Sequence, residues 1–209
     1  MKKYFIFRIK HGLLLLAIIM VLPLIVSAQN LIMARAADAT GLDPHTQTAF
    51  ASLRLLELIY EPLVVLDEKL NIVPALAESW SFSSDGKVLT FQLRKGVTFH
   101  DGSKMTAKDV IASFKRILDE KTGAATRANF LSIQTIEEQG QNTVVFHLSR
   151  PDVPILTAMT DTNASIISSD IISNGNPSQK AIGTGPFVLN SWSPDEKTML
   201  KANKKWWGS

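Results

Sequence analysis

The sequence predicts an α/β protein of the mixed α+β kind, built from β-hairpins with helices scattered between them. Two hairpin signatures carry that reading. Asp85-Gly86 closes a polar loop just before the alternating run 88–93, and the alternating runs 133–138 and 143–148 flank Gly140-Gln141-Asn142. The third observation is a capped amphipathic helix at 107–119, without the regular strand–helix alternation that a parallel sheet needs.

The elements follow in order. Residues 29–38 read as a leader without regular structure, and 40–45 (TGLDPH) hold an Asp-Pro turn. Leu53, Leu56, Ile59 and Tyr60 recur at helical spacing, which predicts a helix over 50–60 stopped by Pro62. Residues 63–66 form a short apolar strand and 67–71 a polar turn; 73–80 carry Pro74 and then ALAESW. The loop 81–87 leads into a strand at 88–93, where Val88, Thr90 and Gln92 alternate with Leu89, Phe91 and Leu93. Lys95-Gly96 and Asp101-Gly102 are turn dipeptides around a second short run, 97–100. Thr106 stands three residues before Asp109, a relative of the capping box. Val110, Ile111, Phe114, Ile117 and Leu118 then share one helical face, while Lys115 and Arg116 fall on the polar side and read as solvated.

After a polar span at 120–129 comes the second hairpin. Pro151 and Pro154 open a short helical or irregular piece to Met159, 166–172 is apolar, and 173–179 (SNGNPSQ) is an exposed loop. GTGPF at 183–187 leads into a strand at 188–192, which turns at 193–196 into 198–201. Gly183 and Gly185 are read as supplying φ > 0 at a chain crossing, with an ordinary hairpin turn as the alternative. A strand just before the terminal KKWWGS has only one hairpin partner, so the chain is expected to stop within a domain.

The composition is globular, 45% apolar and 20% charged. The net charge of +3 is concentrated at the start: Lys2, Lys3, Arg8 and Lys10 are four of the 22 bases, and the other 18 face 19 acids. Without them the net charge is −1, which removes the basic face that nucleic-acid binding would require. Those four bases precede the apolar run 13–22, and Val26-Ser27-Ala28 places small residues before Gln29. This is the pattern of a secretory signal peptide over 1–28, cleaved after Ala28. A membrane anchor is the rival reading, but ten uninterrupted apolar residues fall short of the ~20 a spanning helix needs. There is no cysteine, hence neither a disulfide nor a site for lipid at a mature N-terminus. A soluble periplasmic protein is expected.

The residues offer no catalyst. His11, His45, His100 and His147 lack ligand spacing and read as core or solvated side chains. No GxSxG, HExxH or Walker loop is present, and GTGPF precedes a strand, not the helix N-terminus of a phosphate cradle. Glu137-Glu138 reads as a solvated face, and Trp80, Trp192, Trp206 and Trp207 as core in preference to ligand stacking. No metal site and no cofactor are expected.

The ordered set LDPH (42–45), YEPLVVLD (60–67), PALAESW (74–80), SSDGKVLTFQLRKGVTFHDGSKMTAKDV (83–110), GTGPF (183–187) and NKKWWG (203–208) resembles the family 5 extracellular solute-binding proteins. One motif would be weak; six in order are specific. The resemblance implies a periplasmic-binding-protein-like type II fold of two lobes that trap ligand by hinge closure. Family members are more than twice as long, so the fold is expected to be incomplete here. On that analogy 29–60 and 181–209 belong to the first lobe and 61–180 to a small inserted domain, while the second lobe is absent. Residues 29–209 alone would then bind ligand weakly or not at all.

The family serves ATP-driven importers of dipeptides, oligopeptides and nickel. The resemblance therefore implies a monomeric periplasmic protein, not an enzyme, that captures peptides and delivers them to an inner-membrane ABC permease and ATPase complex. It assigns Thr48, Ala49 and Phe50 to pairing with peptide backbone, Arg127, Ala128 and Asn129 to the vicinity of the ligand, and Gly183 and Gly185 to the hinge. Arg127 departs from the aromatic residue expected in oligopeptide binders. It could hold a carboxylate or an acidic metal chelate, or simply be solvated. A nickel- or chelate-binding member is the runner-up; from other classes, a secreted peptide hydrolase or a non-transport sensor module.

Overall fold

The computed structural model describes residues 31–208, so the predicted signal peptide and its cleavage site lie outside the described residues. The chain divides into a unit ending at Arg35 and a second running from Ala36 to Ser209, which contains all the regular structure described here. In chain order its elements are α1 (Phe50–Leu56), β1 (Val64–Leu66), β2 (Ile72–Pro74), β3 (Ala77–Phe82), β4 (Val88–Leu93), α2 (Ala107–Leu118), β5 (Ile133–Glu138), β6 (Thr143–Leu148), α3 (Ile155–Ala158), α4 (Ser169–Asn174), β7 (Phe187–Ser193) and β8 (Lys197–Ala202). Short 3-10 turns occur at Glu120–Thr122, Arg127–Phe130 and Thr162–Ala164. Among the described residues no helix is long and apolar enough to cross a membrane.

Both predicted hairpins form, and they join into one antiparallel sheet of order β3-β4-β6-β5. The alternation of β4 sends Leu89, Phe91 and Leu93 inward and leaves Gln92 exposed. In register, Leu89 faces Phe146 and Phe91 faces Val144. Helix α2 covers the inner face with Val110, Phe114 and Ile117, all buried. The Phe114 ring meets Phe146 at 5.1 Å and Phe130 at 5.3 Å, both edge-on. Such pairs add about 1 kcal/mol each to what burial alone supplies.

The start of α2 is held as the sequence suggests, and more firmly. Asp109 Oδ2 accepts the Thr106 N–H at 2.8 Å, closing the cap. Its other oxygen accepts the N–H and hydroxyl of Ser169 at 2.8 and 2.9 Å, fastening α4 to the same turn. One turn on, the Ser113 hydroxyl donates to Ile167 O and accepts from Ile167 N–H, so a polar residue sits in the apolar face without an unmet hydrogen bond.

Three expectations are corrected. Helix α1 stops at Leu56, well before Pro62, because Leu58 and Ile59 N–H bond back to Leu55 and Leu56 in a tightened last turn. That frees the Ile59 carbonyl to accept the Gly185 N–H at 2.9 Å. Arg116 is not on a solvated face, for its side chain is only 18% exposed and pairs with Asp43. Finally, Gly183 and Gly185 are not at positive φ.

Those two glycines are required by close approach. A Cβ on Gly183 would collide with the Ile59 carbonyl oxygen, and one on Gly185 would lie 2.7 Å from the same atom. The obstacle is backbone and cannot swing aside. The crossing is fastened from its other side as well: His100 N–H donates to Gly183 O at 2.9 Å and His100 Nε2–H to Gly185 O at 3.0 Å. It lies where two apolar clusters meet. One gathers Ala39, Leu42, Leu55, Leu56, Ile59, Tyr60, Ile167, Ile171 and Ala181; the other holds the four-stranded sheet and α2, and Ile182 packs against both.

Gly183→Ala is expected to destabilise the protein by about 3 kcal/mol or to prevent folding, as overpacking against fixed backbone does. Gly96→Ala, strained only by its φ and with open space around it, should cost about 1 kcal/mol. Urea unfolding of the two variants checks the order, and equal losses would contradict it.

Candidate functional site

The segment that carries Thr48, Ala49 and Phe50 begins in a buried polar turn. Asp43 and His45 are 2% and 0% exposed. The Asp43 carboxylate accepts the His45 N–H at 3.1 Å, so the turn closes on its own side chain. Arg116 then reaches in from α2. Its NH1 donates to Asp43 Oδ1 at 3.1 Å and to His45 Nδ1 at 2.9 Å, and its NH2 donates to Asp43 Oδ2. Nδ1 must therefore accept, which leaves the proton on Nε2, and Nε2–H donates to the Ser165 carbonyl at 2.9 Å.

The backbone of the same segment is tied from behind. Asn163 Nδ2 donates to the carbonyls of Pro44 and Gln47, and Ala125 N–H donates to that of His45 at 2.9 Å. What remains facing outward is Thr48, which is exposed, then half-buried Ala49 at φ −70°, ψ 127°, then Phe50, 70% exposed. Among the described residues no hydrogen bond takes the N–H or C=O of Thr48. The Arg54 guanidinium lies 4.7 Å from the Phe50 ring centre and covers it.

Arg127 occupies a 3-10 turn with Ala128 and Asn129, both exposed. Its Nε donates to Leu118 O at 2.8 Å and its NH2 to Glu120 at 2.9 Å. One donor is thus committed to the C-terminal end of α2, where a cation is favourable, and another to the 3-10 turn that follows it. This loop meets the 43–50 segment through the Ala125–His45 hydrogen bond.

A concave site that the sequence did not reveal lies elsewhere. A cleft of about 490 Å³ is bounded by Tyr60, Glu61, Pro74, Ser165, Trp206 and Trp207, among others, and by none of Thr48, Ala49, Phe50, Arg127, Asn129, Gly183 or Gly185. Glu61, 9% exposed, accepts from Thr184 Oγ1 at 2.7 Å and from the indole N–H groups of Trp206 and Trp207 at 2.9 Å each. Burial raises its carboxyl above the ordinary value, against the pull of those donors and of the nearby Arg94. Arg94 in turn stacks on Trp207 at 4.2 Å. The two tryptophans are half-buried and held by their polar edges, not only packed as core. The signal for this was the lone acid in IYEPLVVL, which had to find donors once folded. Three neutral donors on one acid make a fastening for the 203–207 turn, without the geometry of an acid–base pair. Among the described residues no group of three or more His, Cys, Asp or Glu could hold a metal ion.

Burial, aided by the Arg116 charge, lowers His45 from about 6.5 to about 4. Between those values the unfolded chain binds a proton that the folded chain does not. Stability is therefore fully present above pH 6.5 and falls as the pH drops to 4, by about 3 kcal/mol for this group. Glu61 acts in the opposite sense, since the folded chain takes up its proton first. Urea unfolding of the unsubstituted protein and of His45→Gln at pH 7 and pH 4.5 separates the two: the variant should lose less stability on acidification. An identical loss would contradict the assignment.

The sequence model of the bacterial extracellular solute-binding proteins, family 5 Middle, matches residues 71–209. The dipeptide-binding protein of Escherichia coli (strain K12) is 30% identical over 227 aligned residues, covering 96% of this chain and 42% of its own length. Among solved structures, the ABC transporter-associated periplasmic binding protein DppA from Helicobacter pylori, in complex with peptide STSA, superposes with a TM-score of 0.73 at 35% identity, over 83% of this chain and 39% of that one. The periplasmic binding protein AgaA from A. tumefaciens R10, in complex with agropinic acid, superposes with a TM-score of 0.78 at 32% identity, over 82% of this chain and 35% of that one. The chain spans less than half the length of these relatives, and its mixed α/β fold is that of part of a type II periplasmic binding protein. On the family match and these likenesses together, the chain belongs to the family 5 bacterial extracellular solute-binding proteins.

Proposed function

We propose that this chain belongs to the substrate-binding component of an ABC importer, exported by a signal peptide cleaved after Ala28, which captures di- and oligopeptides in the periplasm and delivers them to a membrane permease and its ATPase. The observation that carries this reading is the edge at Thr48–Phe50. It is exposed at Thr48 and Phe50, extended at Ala49 and held from behind by buried groups, and among the described residues nothing takes the N–H or C=O of Thr48. Such an edge recognises a peptide by its backbone and tolerates varied side chains. The dipeptide-binding relative and the peptide-bound neighbour support the same ligand class.

In this reading Thr48, Ala49 and Phe50 line one wall of the ligand cleft, with Arg127 and Asn129 near it. The protein works as a monomer and by capture, with no catalytic step. Residues 29–60 and 181–209 form part of one lobe and 61–180 an inserted domain. The two apolar clusters support a division close to these points, although Ile167 and Ile171 pack with the first lobe. Gly183 and Gly185, at a chain crossing, belong to the hinge between the lobes.

Calorimetry of the full-length gene product with a pooled di- and tripeptide library should give micromolar or tighter binding. Thr48→Pro, which removes the outward N–H, should weaken binding about tenfold, the worth of one lost hydrogen bond. Cleavage of the library peptides, followed by chromatography, would overturn the reading in favour of a hydrolase.

A further inference from the structure

We infer that Arg116, Asp43, His45 and Asn163 are positioning residues for the Thr48–Phe50 edge, an inference that rests on the function proposed above. The segment 43–47 has little structure of its own. Its one internal backbone hydrogen bond is the long Thr46 N–H to Asp43 O, at 3.3 Å, joined by the side-chain tie from Asp43 to the His45 N–H. Apart from the Thr40 hydroxyl, which donates to Gln47 Oε1 at 2.9 Å, the bonds that fix it to the rest of the fold come from far along the chain: Arg116 acts 73 residues away, Asn163 at 119 from Pro44, and Ser165 at 120 from His45.

These restraints divide the segment into an inner and an outer side. The carbonyls of Pro44, His45 and Gln47 are all taken, by Asn163 and Ala125. The next residue, Thr48, is exposed, and among the described residues both its backbone groups are open. A buried ion pair gives little net stability compared with well-packed apolar side chains, and its best-attested use is to fix a register. Here the register fixed is that of the chain entering the ligand edge. The cluster touches no ligand; it keeps the edge in its binding conformation before ligand arrives. A loosened cluster lowers the fraction of competent molecules and weakens binding in proportion.

The test uses the full-length gene product, unsubstituted and as Arg116→Lys and Asn163→Ala. Lysine keeps the charge but not the fork that spans both Asp43 oxygens. Two measurements are made: amide hydrogen exchange without ligand, and the rates of association and dissociation on mixing with the pooled di- and tripeptide library, read by tryptophan fluorescence. In both variants the amides of 43–50 should exchange at least about tenfold faster, with β4 and β6 unchanged. Peptide association should slow by about tenfold while dissociation stays as it was. Removing a group that touches the peptide directly would instead speed dissociation.

Should Arg116→Lys unfold, Asn163→Ala decides alone. Unchanged exchange at 43–50 overturns the positioning role. So does faster exchange with unaltered association. Absence of peptide binding by the unsubstituted protein overturns the function reading and this role with it, and the exchange data would still report whether the cluster orders the segment.

Discussion

A guanidinium closed on a carboxylate inside the protein ties its two halves together. Asp43 is buried at the N-terminal side, Arg116 lies on α2 in the sheet-bearing part, and His45 bridges them to the Ser165 backbone. Each charge would be costly there alone; together, with both Asp43 oxygens accepting from the guanidinium, they are tolerated. The neutral tautomer of His45 follows from the arrangement, because a proton on Nδ1 would oppose Arg116. The path of residues 43–50 follows as well, since the segment has little else to hold it.

What could be read from the sequence was local. Strand β4 and the β5–β6 hairpin stand where alternation puts them, and Thr106 and Asp109 cap α2 as their spacing suggests. Each of these is decided within a few residues by side-chain period or turn chemistry. Pairings between distant residues were not legible. Nothing in KRIL marks Arg116 as the partner of an aspartate 73 residues earlier, so a solvated face was the natural reading. The exposed positions Thr48 and Phe50 came from likeness to a family, not from any local pattern. Glu61 is an intermediate case: an acid inside an apolar run announces that donors must exist, but not that two indoles supply them.

The glycine pair shows how a correct residue can carry the wrong physical reason. Turn chemistry suggested left-handed backbone at Gly183 and Gly185. The structure uses them for clearance, letting one chain pass against the Ile59 carbonyl while His100 grips it from the other side. Both explanations predict glycine, and only the packing separates them.

The two apolar clusters differ in how far along the chain their members lie, and this has a consequence for the order of assembly. The four-stranded sheet and its covering helix are drawn from one continuous stretch, 77–148, with short loops to close. The other cluster joins Ala39–Tyr60 to Ile167 and beyond, across more than half the chain. A chain made from its N-terminus can therefore complete the later-encoded sheet first. Until Ile167, Ala181 and strand β7 appear, the cluster of Leu55, Leu56 and Ile59 lacks its later-made members. The earliest-made part of the folded unit is the last to settle, and in that interval it is the part most open to chaperones and proteases.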